Sequence, residues 1–369
     1  MHIERIELCY IQLPLKHHFE TSFGRAYERD TILVTVWADG VAGWGESPIE
    51  DGPWYSPETV ETAWHVQRDF LIPMLLGQRL QTAAKAFDRM ALVRGHNMAK
   101  TGLEQALWDV EARQKGVSVA QLLGGTRPCI ESGVSIGIQD TVAELLEQVE
   151  GYLAQGYRRI KIKIKPGWDV AVAHTLRRRW PDVPLMVDAN SAYTLEDADH
   201  LAALDECDLL MIEQPLAYDD IYEHSLLQSQ LRTPLCLDES IHTPAHARAA
   251  LELGSCRIIN IKPGRVGGLA QARQIHDLCR ERDAPVWCGG LLEVGVGRAH
   301  NVAIASLPGY TLPGDVSASD RYFERDVIDP PIQLNADGTI DVPQGPGIGV
   351  EIDQQFLDRV TVRREVFAL

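Results

Sequence analysis

Five charged residues recur at a near-constant interval, each at the end of a short apolar run, and this spacing restricts the fold more than anything else in the chain. Lys163 ends KIK, Asp188 follows LMV, Glu213 follows LLMI, Asp238 follows PLCL and Lys262 follows RIINI. The separations are 25, 25, 25 and 24 residues (163→188→213→238→262). A strand, loop, helix and loop together take about that length, so each position recurs once per βα unit. In a parallel βα array every strand ends on the same face, and that face carries the chemistry. Three carboxylates then converge there, flanked by a lysine on each side. Oxygen-only ligands of this kind suit a hard divalent cation such as Mg²⁺. The pattern reads as a metal-assisted acid/base site.

The surrounding chain agrees with such an array. From Glu131 onward, GVSIGI, RRIKIKI, VPLMVD, LLMIEQP, PLCLDES, RIINIKPG and APVWCGG alternate with helical stretches, and a last strand is expected near YTLPG. About eight strands alternating with helices are what a closed barrel needs. The expected fold class is α/β, with a barrel over 126–320 and an α+β domain over 1–125 completed by about 321–369. Residues 1–50 read as strands with a hairpin turning at Asp39-Gly40. HHFETSFGRAYERD and SPIEDGPWYSPET read as loops, either closing over a ligand or making plain surface turns. Over 57–123 the pattern is helical, with Ser56 as N-cap before Pro57 and with Ala99, Leu103, Ala106, Leu107 and Val110 spaced as an amphipathic helix.

IKIKIK places Lys161, Lys163 and Lys165 on one side of a strand and Ile160, Ile162 and Ile164 on the other. The bland alternative is an amphipathic strand with solvated lysines. In a parallel barrel, however, the face away from the helices is the interior. Lysines crowded there near a cation have a lowered pKa and become available as bases. A single Asp or Glu after a strand is most often a helix cap. As a set, Asp188, Glu213 and Asp238 follow buried-type runs with no basic residue in their own loops. Unpaired, they would repel one another, and a divalent cation relieves that. Asn190 and Glu239 are positioned to support them.

Lys163 and Lys262 come from the second and sixth strands and therefore face each other across the barrel. Such a pair removes a proton from one face of a carbon and returns it on the other, or removes it while the second lysine stabilises the enolate. Two rivals stay open: an imine-forming aldolase, and a barrel that binds metal and ligand without turnover. His242 and His246 lack the glutamate of a zinc motif, and GGLLEVGVG is explained equally by a tight turn or a pocket wall.

The net charge of −17 argues against nucleic acid or an anionic membrane surface as partner. A carboxylate substrate would meet that field, but Lys161, Lys163, Lys262 and Arg265 offset it locally. MHIERIELCYIQLPL lacks the basic and apolar regions of a signal peptide, and no apolar run reaches the length of a membrane span. The seven cysteines lack CxxC spacing and read as core thiols of a reducing cytoplasm.

Lys161-x-Lys163, Asp188, Glu213, Asp238-Glu239 and Lys262 together resemble the enolase superfamily, in its muconate-lactonising subgroup, over essentially the whole chain. The resemblance implies a (β/α)₇β barrel under an α+β cap and one Mg²⁺ on Asp188, Glu213 and Asp238, with Mn²⁺ or Co²⁺ as substitutes. It implies abstraction of a proton α to a carboxylate, with Lys163 and Lys262 as the two bases. SFGRAYERD, RIKIKIKPGWDV, VDANSAYTL, NIKPGRVGG and WCGGLLEVGVGRAHNVAIASLPG are similar to o-succinylbenzoate synthases that also racemise N-acylamino acids, N-succinylamino acids in particular. By that likeness Phe19, Tyr55, Ser135, Gly290, Leu291 and Phe323 line the pocket for a succinylated carboxylate. Arg265 also resembles the racemising members, and as a nearby cation it is expected to lower the pKa of Lys262. Dipeptide epimerases carry Asp-x-Asp where this chain has Asp315-Val316-Ser317. Muconate cycloisomerases share all five charged positions and remain an alternative, as does a dipeptide epimerase of the same subgroup. Members of the family form homo-oligomers, and one is expected here.

Overall fold

The structure is a computed structural model and describes residues 1–369. Apolar alternation near the N-terminus yields three antiparallel strands, β1 (Ile3–Thr21), β2 (Gly24–Ala38) and β3 (Val41–Ser47). Asp39 and Gly40 turn β2 into β3 with φ of 48° and 77°, the two-residue turn whose twist matches its strands. A fourth strand, Thr361–Ala368, lies antiparallel on the other edge of β1.

The stretch HHFETSFGRAYERD is not a loop. β1 and β2 run through it, with register resuming after an irregularity so that Phe19 faces Ala26, Glu20 faces Arg25 and Thr21 faces Gly24. The ion pair between Glu20 and Arg25, 2.5 Å apart, holds this extension together, as opposite charges across a strand pair do. Its tip reaches the barrel, where the Ser22 hydroxyl donates to the Asn190 carbonyl at 3.0 Å.

The helical layer departs from expectation twice. Its first helix starts at Val60 and is capped by Thr59, which exchanges bonds with Thr62 in a capping box. Ser56 instead accepts from the Glu58 N–H at 3.2 Å. Glu58 is thereby turned to accept from the N–H groups of Met98 and Ala99, at 2.8 and 2.9 Å. The helix Asn97–Lys115 is not amphipathic, since Met98 through Ala112 are all buried. It packs against β2 and β3 on one side and the barrel segment Pro263–Val266 on another, so no face is left for water. A Cβ on Gly45 would fall 2.1 Å from the Gly102 carbonyl oxygen; sheet and helix meet backbone to backbone.

The barrel strands are Val134–Ile136, Ile160–Lys163, Leu185–Asp188, Ile212–Glu213, Leu235–Leu237, Ile258–Ile261 and Val286–Cys288. They form one parallel sheet in chain order. No eighth regular strand forms near YTLPG. Tyr310 bridges Val286 and Gly314 bridges Ser132 as isolated contacts. Pro308 and Pro313 cannot donate to a ladder, so the seam between first and seventh strands is closed by single bonds. Among them the Asp315 N–H donates to the Cys288 carbonyl at 2.8 Å. The α/β class with a separate antiparallel cap is thus the observed architecture. All seven cysteines are free thiols, and no helix is long and apolar enough to cross a membrane.

Candidate active site

Strand alternation decides which side chains enter the barrel. Ile160 and Ile162 join the main apolar core, while Lys161 and Lys163 point inward. Lys163 Nζ donates to Asp188 Oδ2 at 2.6 Å and to Asn190 Oδ1 at 2.7 Å. Lys161 Nζ lies 2.8 Å from Glu213 Oε2, 3.0 Å from Asp188 Oδ2 and 2.7 Å from Asp315 Oδ2. From the sixth strand, Lys262 Nζ donates to Asp238 Oδ2 at 2.7 Å and to the Tyr55 hydroxyl at 3.1 Å. Asn190, at a positive φ of 42°, spans the gap: its amide donates to Glu239 Oε1 at 2.8 Å.

The carboxylates do not stand unpaired. Each bonds an ammonium or guanidinium from outside its own loop: Asp188 and Asp238 from the adjacent strand or the turn after it, Glu213 from Lys161 two strands away. Asp238 also accepts from the Arg265 guanidinium and from the Tyr55 hydroxyl at 3.0 Å. In this arrangement no three carboxylate, imidazole or thiol side chains gather tightly enough to hold an ion. The donor chemistry nevertheless fits a hard divalent cation. Asp188, Glu213 and Asp238 are buried at three consecutive strand ends and offer only oxygen. Beside them Glu239 Oε2 and Asn260 Oδ1 are buried without partners.

The two lysines are poised in opposite senses. Burial pushes the Lys163 ammonium below its ordinary pKa, helped by the charges of Lys161 and Lys262 and opposed by Asp188 and Glu213. For Lys262, burial is outweighed by Tyr55, Glu213, Glu239 and Asp188, and its pKa is raised. The Arg265 guanidinium, which shares Asp238 with the Lys262 ammonium, does not bring it below its ordinary value. Arg265 spends its charge on Asp238 and its other donors on the carbonyls of Ile241 and Asn260, at 2.7 and 2.5 Å. Burial and the Asp188 charge push Glu239 up to about 7. Asp188 is held far below the carboxylate range, because Lys163 and Lys161 overcome its burial.

Above these groups lies a cavity of about 600 Å³, with Lys161, Lys163, Asn190 and Lys262 in its floor. Asp188, Glu213, Asp238, Glu239 and Arg265 are not among the residues that line it. Phe19, Tyr55, Ser135, Gly290 and Leu291 line the cavity. Phe323 does not; it is buried in the core, and Tyr322 takes the wall, with Phe19 edge-on to it at 6.5 Å.

Four residues were missed. Asn260 donates to Glu213 Oε1 at 2.7 Å; it stands two before Lys262, so the period-2 rule that paired Lys161 with Lys163 would have found it. Asp315 reaches Lys161 from the irregular seam, where no periodicity exists to read. Trp287 lies under Lys161, with Nζ 4.9 Å from its ring, and its apolar run gave no hint of that. Arg29 lines the cavity from β2, donating to the Ile49 carbonyl at 3.1 Å while Nε and Nη2 have no partner.

Comparison with known proteins matches residues 5–124 to the mandelate racemase / muconate lactonizing enzyme N-terminal domain and residues 144–356 to the enolase C-terminal domain-like family. An o-succinylbenzoate synthase of Geobacillus stearothermophilus is 56% identical, covering 100% of this chain and 98% of that protein. An N-succinylamino acid racemase of Amycolatopsis is 48% identical, covering 99% of each. A crystal structure of an enolase superfamily member from Listeria innocua superposes with a TM-score of 0.96 at 39% identity, covering 100% of this chain and 99% of that one.

Proposed function

The chain belongs to the mandelate racemase / muconate lactonizing enzyme family of the enolase superfamily, and from that premise we propose that it removes the proton α to a carboxylate of a succinyl-bearing substrate. The resulting enediolate has two fates. Loss of water gives o-succinylbenzoate, and reprotonation from the opposite face racemises N-succinylamino acids. The observation that carries this reading is the pair Lys163 and Lys262, from opposite strands, both in the cavity floor, one lowered and the other raised in pKa.

A base must be neutral and its opposing acid protonated at the working pH. Lys163, pushed down by burial, suits the base; Lys262, pushed up, keeps its proton for delivery or holds it beside the developing negative charge. Asn190 and Asp188 fix the Lys163 amine between them, and Tyr55 and Asp238 fix Lys262. In dehydration Lys163 takes the α-proton and returns a proton to the departing hydroxyl, so one C–H and one C–O bond break and water leaves. In racemisation the lysines exchange roles with the enantiomer bound.

Asp188, Glu213 and Asp238 would hold the divalent cation, Mg²⁺ with Mn²⁺ or Co²⁺ as substitutes, which when bound supplies Lewis-acid stabilisation of the substrate carboxylate. Walls built of Phe19, Tyr55, Ser135, Gly290 and Leu291 suit a substrate that is apolar between two anionic ends. We further propose a cytoplasmic homo-oligomer with no nucleic-acid or membrane partner, which suits seven free thiols and the acidic charge.

The test is to incubate the protein with Mg²⁺ and an N-succinylamino acid in D₂O and follow the Cα–H signal by NMR. Loss of the signal, prevented by EDTA and accompanied by racemisation, supports both lysine roles. Retention removes the racemase reading for that substrate and leaves dehydration to be assayed by o-succinylbenzoate formation.

A further inference from the structure

We propose that Asp315 is a positioning residue: its carboxylate draws Lys161 away from Asp188 and Glu213 and so frees their oxygens for the divalent cation. The inference rests on the metal reading given above.

Lys161 Nζ touches three carboxylates, and two of them belong to the metal set. The atoms it occupies, Glu213 Oε2 and Asp188 Oδ2, are the ones a cation has to win. The companion oxygens are already engaged, Glu213 Oε1 by the Asn260 amide at 2.7 Å and Asp188 Oδ1 by the Asn190 N–H at 3.0 Å. At 2% side-chain exposure the ammonium is almost wholly withdrawn from solvent, and a buried charge without a partner is costly. Asp315 is the third carboxylate, at 2.7 Å, and it lies outside the metal set.

Asp315 is itself held firmly. Its Oδ1 accepts from Arg159 Nη2 at 2.7 Å, and the same Nη2 donates to the Pro313 carbonyl at 3.1 Å. Its backbone N–H is bonded to Cys288. Beneath, the Trp287 ring carries both cations, Lys161 at 4.9 Å and Arg159 at 5.1 Å. Asp315 thus anchors the irregular seam through one oxygen and Lys161 through the other. Without it, Lys161 has only the metal carboxylates to bond, and it competes with the cation for them.

Mn²⁺ binding, read calorimetrically on wild-type protein without substrate, tests this. Asp315→Asn should bind Mn²⁺ at least tenfold more weakly, within the range seen when groups behind metal ligands are lost, and Asp315→Glu should recover part of the loss. Arg159→Met breaks the seam contact but keeps the anion; it should lower Tm and leave Mn²⁺ affinity within about twofold of wild type. Unchanged affinity in Asp315→Asn overturns the proposal, as does an equal loss in Arg159→Met, which would assign the effect to the seam. Should Asp315→Asn not fold, the background Lys161→Met decides, because removing the competitor removes the need for Asp315. Asp315→Ser in that background should bind Mn²⁺ as Lys161→Met does, and a further loss overturns the proposal. Failure of the wild type to bind Mn²⁺ at all would instead overturn the metal reading, and this inference with it.

Discussion

The hydroxyl of Tyr55 accepts a hydrogen bond from Lys262 at 3.1 Å, joining a residue that follows the capping sheet to a barrel lysine 207 positions away. The same hydroxyl donates to Asp238 at 3.0 Å, and the Lys262 ammonium lies 4.5 Å from the ring centre. Tyr55→Phe keeps the ring and removes these two hydrogen bonds along with a longer one from Arg265 at 3.5 Å. The loss of about 1–2 kcal/mol should lower kcat by roughly five- to thirtyfold. Tm should stay within a few degrees of wild type. An unchanged kcat would show that Lys262 needs no such restraint.

Lys163→Ala and Lys262→Ala should each lower racemisation by about 10²–10⁴-fold, since each removes one of two proton carriers. They differ in exchange. Lys262→Ala should still wash deuterium into one enantiomer through Lys163, without inversion, and Lys163→Ala should lose dehydration. Chiral chromatography combined with NMR separates these outcomes. Full activity in Lys163→Ala would sink the assignment.

Asn260→Leu leaves Glu213 Oε1 without its donor inside the barrel. The expected cost is about 1–3 kcal/mol of stability, read as a lower midpoint in urea at unchanged slope. A variant as stable as wild type would mean that Glu213 finds another donor.

Glu46 should make stability fall as pH rises. Burial and the Glu293 charge push it up to about 8, against the pull of Arg29 and the Gly297 and Val294 N–H groups. Its folded pKa lies above the ordinary 4.5, so the folded state holds a proton that the unfolded chain releases. This stabilisation is complete below about pH 4.5 and is lost as pH climbs through about 8. Tm should therefore decline between pH 6 and 9, and Glu46→Gln should flatten the decline. An equally steep decline in Glu46→Gln would assign the titration elsewhere.

Gly45→Ala would drive a methyl into the Gly102 carbonyl oxygen, 2.1 Å away, and the Ala106 nitrogen, 2.7 Å away. Neither backbone can yield cheaply, so a cost of about 1–3 kcal/mol or more is expected. A Tm within two degrees of wild type would show that sheet and helix can separate.

What the sequence made legible follows its periodicities. A 25-residue spacing located the five charged positions, and alternation turned Lys161 and Lys163 inward. Where tertiary contacts override local pattern, reading failed. The helix Asn97–Lys115 carries polar residues that looked solvated, but Glu104 is buried, accepting from the N–H groups of Leu269 and Ala270. Phe323 and Tyr322 exchanged places as wall and core, a distinction of one residue that composition cannot make. The eighth strand was expected as regular, and its prolines and glycines left only bridges.

The pairing of Thr361–Ala368 with β1 sets an order on biogenesis. Arg5 waits for Ala368, and at ribosomal speeds of about 5–20 residues per second that delay is on the order of 20–70 s. During it one edge of β1 offers unpaired N–H and C=O groups to any neighbouring nascent chain. Because Tyr55 and Phe19 belong to the domain that this strand completes, an enzyme released early from the ribosome would have its barrel lysines but an unfinished lid.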